Sequence, residues 1–426
     1  MTVIFIEQHE MPIVNFQCLV RAGSVLDPVH REGLASLTAQ LLRRGTSTRS
    51  AESIDAAVDF VGAEIELEIE HDFATVEAEF LTKDIPMGID LLSDILQRPV
   101  FRLAEVAKMI KQEVDRVRQD KDQAEDAISR FFDAYLLGIH PYGRPTSGDE
   151  ISLASIRRTD VLQFYHNNYG PGSTTLVIAG DFNTVEVEKL VTEKFGRWQH
   201  QTTAAAAKIA PPPTVKGRRL LLVDKPDLPQ TFFQIGGIGV ARTNPDRIGL
   251  EVVNTIFGGR FTSMLNDALR VSSGLTYGVS SEFTMRMAGG TFVISSFTQN
   301  ATTARAIDLA VEILRKLHAE GLSDQQIQSA RNYLKGQFPP RIETSEQLAH
   351  LAAELEFYGL DESEITTYFA KLDQVTVEDT KRIIATYYPL DDLVFVLIGK
   401  AEEIRGQVKK YAEKIDERPI DRPGFR

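Results

Sequence analysis

A run of glutamates is the first group in the chain whose type and spacing could do chemistry. In "AEIELEIEHD" the residues Glu64, Glu66, Glu68 and Glu70 alternate with Ile65, Leu67 and Ile69. A strand would put the carboxylates on one face and the apolar side chains on the other. Glu77 and Glu79 follow in "ATVEAEF", which predicts the second strand of a hairpin. Such a face is ordinarily a solvated sheet surface. Six carboxylates on it create a negative local field. Metal and nucleophile constellations are missing. The eight histidines, including His140 and His166, show no paired spacing, and there is no C-x-x-C. The single cysteine, Cys18, sits in the alternation Val14, Phe16, Cys18, Val20 and reads as a small core residue. "GGRFTSML" (258–265) lacks the G-x-x-x-x-G-K-[ST] spacing of a phosphate loop. It predicts a tight entry into a helix ending near Arg270.

The elements that must position these residues are ordinary for a globular protein. The chain has 426 residues, 43% apolar and 25% charged, enough for two cores without disulfides. A net charge of −13 argues against non-specific nucleic-acid or acidic-membrane binding. No run of 18 apolar residues is present, so no helical membrane span is expected. "MTVIFIEQHEMP" is no signal peptide. It enters a strand at once, as if a leader had been trimmed, and the sequence leaves cytoplasm and periplasm both open.

The chain reads as two copies of one domain. "HQTTAAAAKIAPPPTVKG" (200–217) is small, polar and proline-rich, an extended linker. On either side lie residues 1–199 and 218–426. "NFQCLVRAGSVLDPVHREGLASLTAQLL" answers "TFFQIGGIGVARTNPDRIGLEVVNTIFGG", with Gly33 and Gly249 216 residues apart. "YGPGSTTLVIAGDFNTVEVEKLV" answers "YYPLDDLVFVLIGKAEEIRGQVK", with Tyr169 and Tyr388 219 apart, as are Gly180 and Gly399. Agreement at both ends indicates duplication. "IDLLSDILQRPVF" and "RAIDLAVEILRKLHAEG" carry helical spacing, and "SDQQIQSARNYLKGQF" opens with a Ser-Asp cap. Strands and helices do not alternate strictly. The expected fold class is α+β: two domains, each a mainly antiparallel sheet with helices packed on one face.

With this duplication, "VRAGSVLDP", "GLASLTAQLLRRGT", "HPYGRPTSGD", "FYHNNYGPGSTTLVIAGD" and "GGRFTSMLNDALRVSSGLTYGV" resemble, in order, landmarks of the M16 (pitrilysin/insulinase) zinc peptidases. The short bacterial members and the mitochondrial processing peptidase subunits look most similar. The resemblance implies half of a clam-shell. Active members carry H-x-x-E-H on the helix that opens the first domain, two histidines on one face holding zinc and a glutamate activating water. Matched residue by residue, those positions are Ser36, Ala39 and Gln40 here, and a further glutamate ligand falls near Arg116, with Glu113 one turn away. Catalytic zinc needs about three strong protein ligands. Serine and glutamine are poor ones, arginine repels the ion, and alanine cannot take a proton.

The resemblance also implies what is kept. Similar peptidases have an arginine and a tyrosine in the second domain, across the chamber from the zinc, that hold substrate backbone and polarise the scissile carbonyl. The matching residues are Arg270 and Tyr277, both donors suited to a developing oxyanion. A structural alternative has Arg270 capping the preceding helix and Tyr277 packed in a strand. The implied function is a zinc-free subunit of a heterodimeric peptidase, with zinc in an H-x-x-E-H partner and short or unfolded, basic peptides as substrates. On that fold the acidic face (Glu64, Glu66, Glu68, Glu70, Glu77, Glu79) would line the chamber. The alternative is a peptide-binding or assembly protein of the same fold with no proteolytic partner. A homodimer of the isolated chain is compatible with either.

Overall fold

The period-2 stretches become two sheets. A computed structural model describes residues 1–199 and 209–426. In chain order the elements used below are β1 (Thr2–Glu7), β2 (Ile13–Val20), α1 (Leu34–Leu41), β3 (Glu64–Ile69), β4 (Ala74–Leu81), α2 (Ile85–Gln97), α3 (Leu103–Asp122), α4 (Ala124–Leu137) and β5 (Thr174–Gly180). They continue with β6 (Arg219–Asp224), β7 (Gln230–Ile238), α5 (Arg247–Phe257), β8 (Val279–Met285), β9 (Gly290–Gln299), α6 (Thr303–Glu320), α7 (Ser345–Tyr358), β10 (Val394–Gly399) and β11 (Lys414–Pro419). The first sheet runs β1-β5-β2-β4-β3, parallel only between β1 and β5. The second runs β11-β6-β10-β7-β9-β8, parallel among β11, β6 and β10 and antiparallel elsewhere. The mixed, mainly antiparallel class expected from the sequence is what forms. Among the described residues no helix is long and apolar enough to cross a membrane.

The repeat is visible in matching positions. Tyr169 and Tyr388 are both buried, and Gly180 and Gly399 end the equivalent strands β5 and β10. Val14, Phe16, Cys18 and Val20 fill the core side of β2. Burial pushes the Cys18 thiol up to about 12, so it stays a neutral packing residue. The Gly-Leu pairs differ in duty. Gly33 precedes α1 at φ 92, where a Cβ would meet the Ser147 carbonyl oxygen at 2.8 Å. Gly249 lies inside α5, where a Cβ would meet Ile383 at 2.3 Å.

The compact units are not the sequence halves 1–199 and 218–426. One unit comprises residues 1–117, 145–208 and 339–361; the other comprises 118–144, 209–338 and 362–426. Each half delivers one helix to the other's sheet. In the first unit α7 packs on β2 and β5. Asn15 of β2 donates to Ser345 Oγ at 2.8 Å, and Thr175 of β5 donates to Glu356 at 3.2 Å. Phe357 is buried, its ring 4.9 Å from that of Phe73, with the Arg21 guanidinium 4.6 Å from its centroid. In the second unit α4 packs on β7 and β10. Gln234 of β7 donates to Ser129 Oγ at 3.0 Å, and the Tyr135 hydroxyl donates to the Leu220 carbonyl and to Asp416. An amide on a central strand meeting a helix serine recurs in both units. Within the expected linker, 200–208 lies outside the described residues, and 209–217 forms no helix or strand.

Phe357→Ala empties the contact between α7 and the first sheet. It should lower stability by about 3–5 kcal/mol, read from urea unfolding; a loss under ~1 kcal/mol would show that α7 is not part of that core.

Candidate functional site

The helix that the resemblance aligns with a zinc site, α1, is held by packing and backbone contacts. Asp27, buried before α1, accepts from the Gly33 and Ala35 amides, both at 2.8 Å. A carboxylate on the first amides of a helix satisfies orphan donors and opposes the helix dipole. Leu34, Leu37 and Leu41 are buried. Of the positions of interest, Ala39 is 1% exposed and contributes only a methyl group. Ser36 and Gln40 lie one turn apart, and Gln40 Nε2 donates to Ser36 Oγ at 3.2 Å. The two polar groups thus serve one another. Beyond them Arg43 reaches the Ile65 carbonyl and Asp55, both at 2.6 Å.

On α3 the buried acid is Glu113 and the exposed residue is Arg116. Val106, Met109, Glu113 and Val117 are all buried and follow the three- and four-residue spacing of one helix face. The Glu113 side chain is 8% exposed and that of Arg116 62%, with a guanidinium nitrogen 3.7 Å from a Glu113 oxygen. A sequence count that lands on Arg116 therefore lands off the inward face. Glu113 does not rescue a zinc site, since Ser36, Ala39 and Gln40 supply no nitrogen, sulfur or carboxylate ligand. Among the described residues no group of three histidines, cysteines or carboxylates could hold a metal.

Arg270 and Tyr277 are arranged quite differently. Gly258 ends α5, packed against Ser281 where any Cβ would come within 2.3 Å of Oγ. The turn that follows leads to Ser263, whose Oγ caps the helix Met264–Asn266. That helix widens into a π-helical segment, Asp267–Ser272, which carries Arg270. π-bulges occur often at functional sites. The following loop is pinned to β9: Thr298 Oγ1 donates to the Leu275 carbonyl at 2.6 Å, and Ser296 Oγ to the Gly278 carbonyl at 2.9 Å. Between these ties Tyr277 is 76% exposed. It is not packed in a strand, so the structural alternative fails for this residue. The Arg270 guanidinium carbon lies 4.5 Å from the Tyr277 ring centroid and 4.7 Å from that of Phe261. Among the described residues it meets no hydrogen-bond or ion-pair acceptor.

The glutamate face forms as the alternation predicts, with a partial cover. Glu64 is directly opposite Glu79, and Glu66 opposite Glu77. Like charges facing across a ladder destabilise it. Glu64, Glu66, Glu68 and Glu79 are exposed, and Glu70 is exposed just past the end of β3. Glu77 accepts from Gln17 at 2.8 Å and lies 3.6 Å from His350 of α7. Hydrogen bonding to His350, then to Gln17, holds the Glu77 carboxyl below its ordinary value; Glu77, then Glu354 and Glu68, raise His350. The side of the sheet bearing the glutamates is thus not bare, because α7 also sits on it. Sequence reasoning missed this helix and missed Phe261, an apolar residue in a turn with no core position to fill.

Comparison with known proteins places these observations. Residues 2–150 match the description "Insulinase (Peptidase family M16)", and residues 155–334 match "Peptidase M16 inactive domain". The chain is 26% identical over 352 residues to an uncharacterized zinc protease of Mycobacterium leprae, covering 82% of this chain and 79% of that one. It is 24% identical over 374 residues to an uncharacterized zinc protease of Streptomyces coelicolor, covering 87% and 81%. Its fold matches the crystal structure of a peptidase M16 inactive domain from Pseudomonas fluorescens with TM-score 0.87 and 23% identity, covering 93% of this chain and 95% of that one. A protease from Helicobacter pylori matches with TM-score 0.86 and 18% identity, covering 93% and 96%.

The Glu77–His350 pair has a pH signature. Both members are charged only between the lowered Glu77 value and the raised His350 value. Its contribution is present near neutrality. It fades as pH falls through the Glu77 value, and again as pH rises through the His350 value. NMR titration should place His350 above an ordinary histidine, and Glu77→Gln should move it down; an unmoved His350 would refute the pairing.

Proposed function

Because this chain belongs to the M16 peptidase family, we propose that it is the non-catalytic subunit of a heterodimeric zinc peptidase. A partner chain carrying H-x-x-E-H supplies zinc and the general base. This chain supplies Arg270 and Tyr277 to hold substrate, together with chamber wall. The observation that carries the reading is a contrast within one molecule. Gln40 donates to Ser36, while among the described residues Arg270 meets no acceptor and Tyr277 stands in solvent. The first pair has nothing to offer a metal; the second has donors to offer a peptide. A guanidinium and a phenol fixed beside a scissile carbonyl stabilise the charge that develops on its oxygen. Such donors need no chemistry of their own. They are useful only beside a centre that activates water, and in this reading the partner provides it.

The acidic face fits the same role. Its cross-strand glutamate pairs cost ladder stability, and the field they create raises the local concentration of basic, unfolded peptides. Exposed carboxylates act over about 8–10 Å at physiological salt, enough to gather a peptide without fixing its register.

The test is co-purification with a similar chain carrying H-x-x-E-H, followed by peptidase assays of each chain alone and of both together. Activity should appear only with both. Arg270→Ala in the pair should cut kcat/KM by about 10²–10³, the usual cost of one oxyanion donor, and unchanged activity would remove Arg270 from the site. Separately, binding of a lysine-rich peptide to this chain should weaken as salt rises from 50 to 500 mM (roughly the range over which screening becomes strong). Salt-independent binding would remove the acidic face from the proposal.

A further inference from the structure

Phe261 lies in the turn between α5 and the helix Met264–Asn266, nine residues before Arg270. Its ring is 61% exposed, and Val271, next to Arg270, is 63% exposed. Among the described residues this phenylalanine is not part of the buried core. Its ring packs against the Arg270 guanidinium, which Tyr277 also meets. A guanidinium is flat, with apolar faces and an edge of N–H donors. Two rings packed at 4.5 and 4.7 Å take up its apolar surface. The edge is then the part left to find an acceptor. Arginine on a π-helical turn would otherwise sample many rotamers, so the rings also lower the entropy lost when a ligand binds.

We propose that Phe261 is a positioning and specificity residue of the Arg270–Tyr277 site. It holds the guanidinium with its N–H edge toward a planar oxygen acceptor of a peptide. Its own exposed ring takes an apolar side chain beside that acceptor. The acceptor is a backbone carbonyl or a terminal carboxylate, which present the same in-plane oxygen geometry. The inference rests on the reading that Arg270 and Tyr277 bind peptide. It adds a third residue and a substrate preference: an apolar residue next to the gripped carbonyl, within a peptide otherwise basic enough to favour the glutamate face.

The experiment uses the full chain and two fluorescein-labelled, lysine-containing peptides, identical except for leucine or serine at one position, each as free acid and as C-terminal amide. Anisotropy gives the affinities. Wild type should prefer the leucine peptide. Phe261→Ala should weaken that peptide about tenfold and remove the preference, and Phe261→Tyr should restore both. A purely structural effect would weaken both peptides in equal ratio, and that result overturns the proposal. Equal losses on acid and amide identify a backbone carbonyl; a loss confined to the acid identifies a terminal carboxylate; either sustains it. Arg270→Ala separates the two levels. If it weakens binding while Phe261→Ala does not, the inference alone falls. If neither changes binding, the peptide-gripping role of the site falls with it.

Discussion

Each sheet of this protein is completed by a helix that the other half of the chain delivers. Ser345–Tyr358 closes on β2 and β5, and Ala124–Leu137 closes on β7 and β10. Neither half holds all the apolar surface its sheet must bury, as the buried Phe357 against Phe73 shows. The exchanged segments carry their own polar latches, Asn15 to Ser345 and Gln234 to Ser129. The buried Asn15 amide left without its serine would cost about 1–3 kcal/mol, so that latch specifies where Ser345–Tyr358 sits. The duplicated sequence therefore folds as two interdependent units.

The helix Leu34–Leu41 is likewise held by packing and backbone contacts. Its leucines are core residues, its first turn is tied to Asp27, and its entry demands a glycine at φ 92 beside the Ser147 carbonyl. None of these contacts involves a metal ligand. Ser36 and Gln40 take no part in them, and Ala39 adds only a buried methyl group. Arg270 and Tyr277 show the reverse. Gly258, Ser263, Ser296 and Thr298 hold a closely packed turn, a widened helix and an exposed loop in place. An exposed tyrosine, and an arginine that meets no acceptor among the described residues, gain little stability from that scaffolding.

Much of this was legible from residue patterns. Strict alternation gave the β3–β4 hairpin and its glutamate face, and Ser323 caps its helix with Gln326 as its spacing implies. The paired tyrosines and glycines marked the repeat. Helix exchange was not legible, because periodicity shows that a helix has an apolar face but not which sheet that face will meet. The same blindness hid His350 beside Glu77. The inward face of α3 was readable in principle. Val106, Met109, Glu113 and Val117 form the stripe, and counting from a motif instead of from that stripe pointed to Arg116. Tyr277 gave no signal of exposure, since glycine and threonine neighbours suit a strand end and a loop equally. Phe261 could have been suspected only from its place in a turn.

The central claim is a division of labour: the metal belongs to the partner, and the grip on the substrate belongs to this chain. Metal analysis by mass spectrometry tests it most directly, applied to this chain purified alone and to its complex with an H-x-x-E-H chain, both after exposure to zinc and removal of the excess. The account predicts one zinc per complex and none retained by this chain alone. A stoichiometric zinc held by the isolated chain, together with peptide hydrolysis that a chelator abolishes, would contradict it.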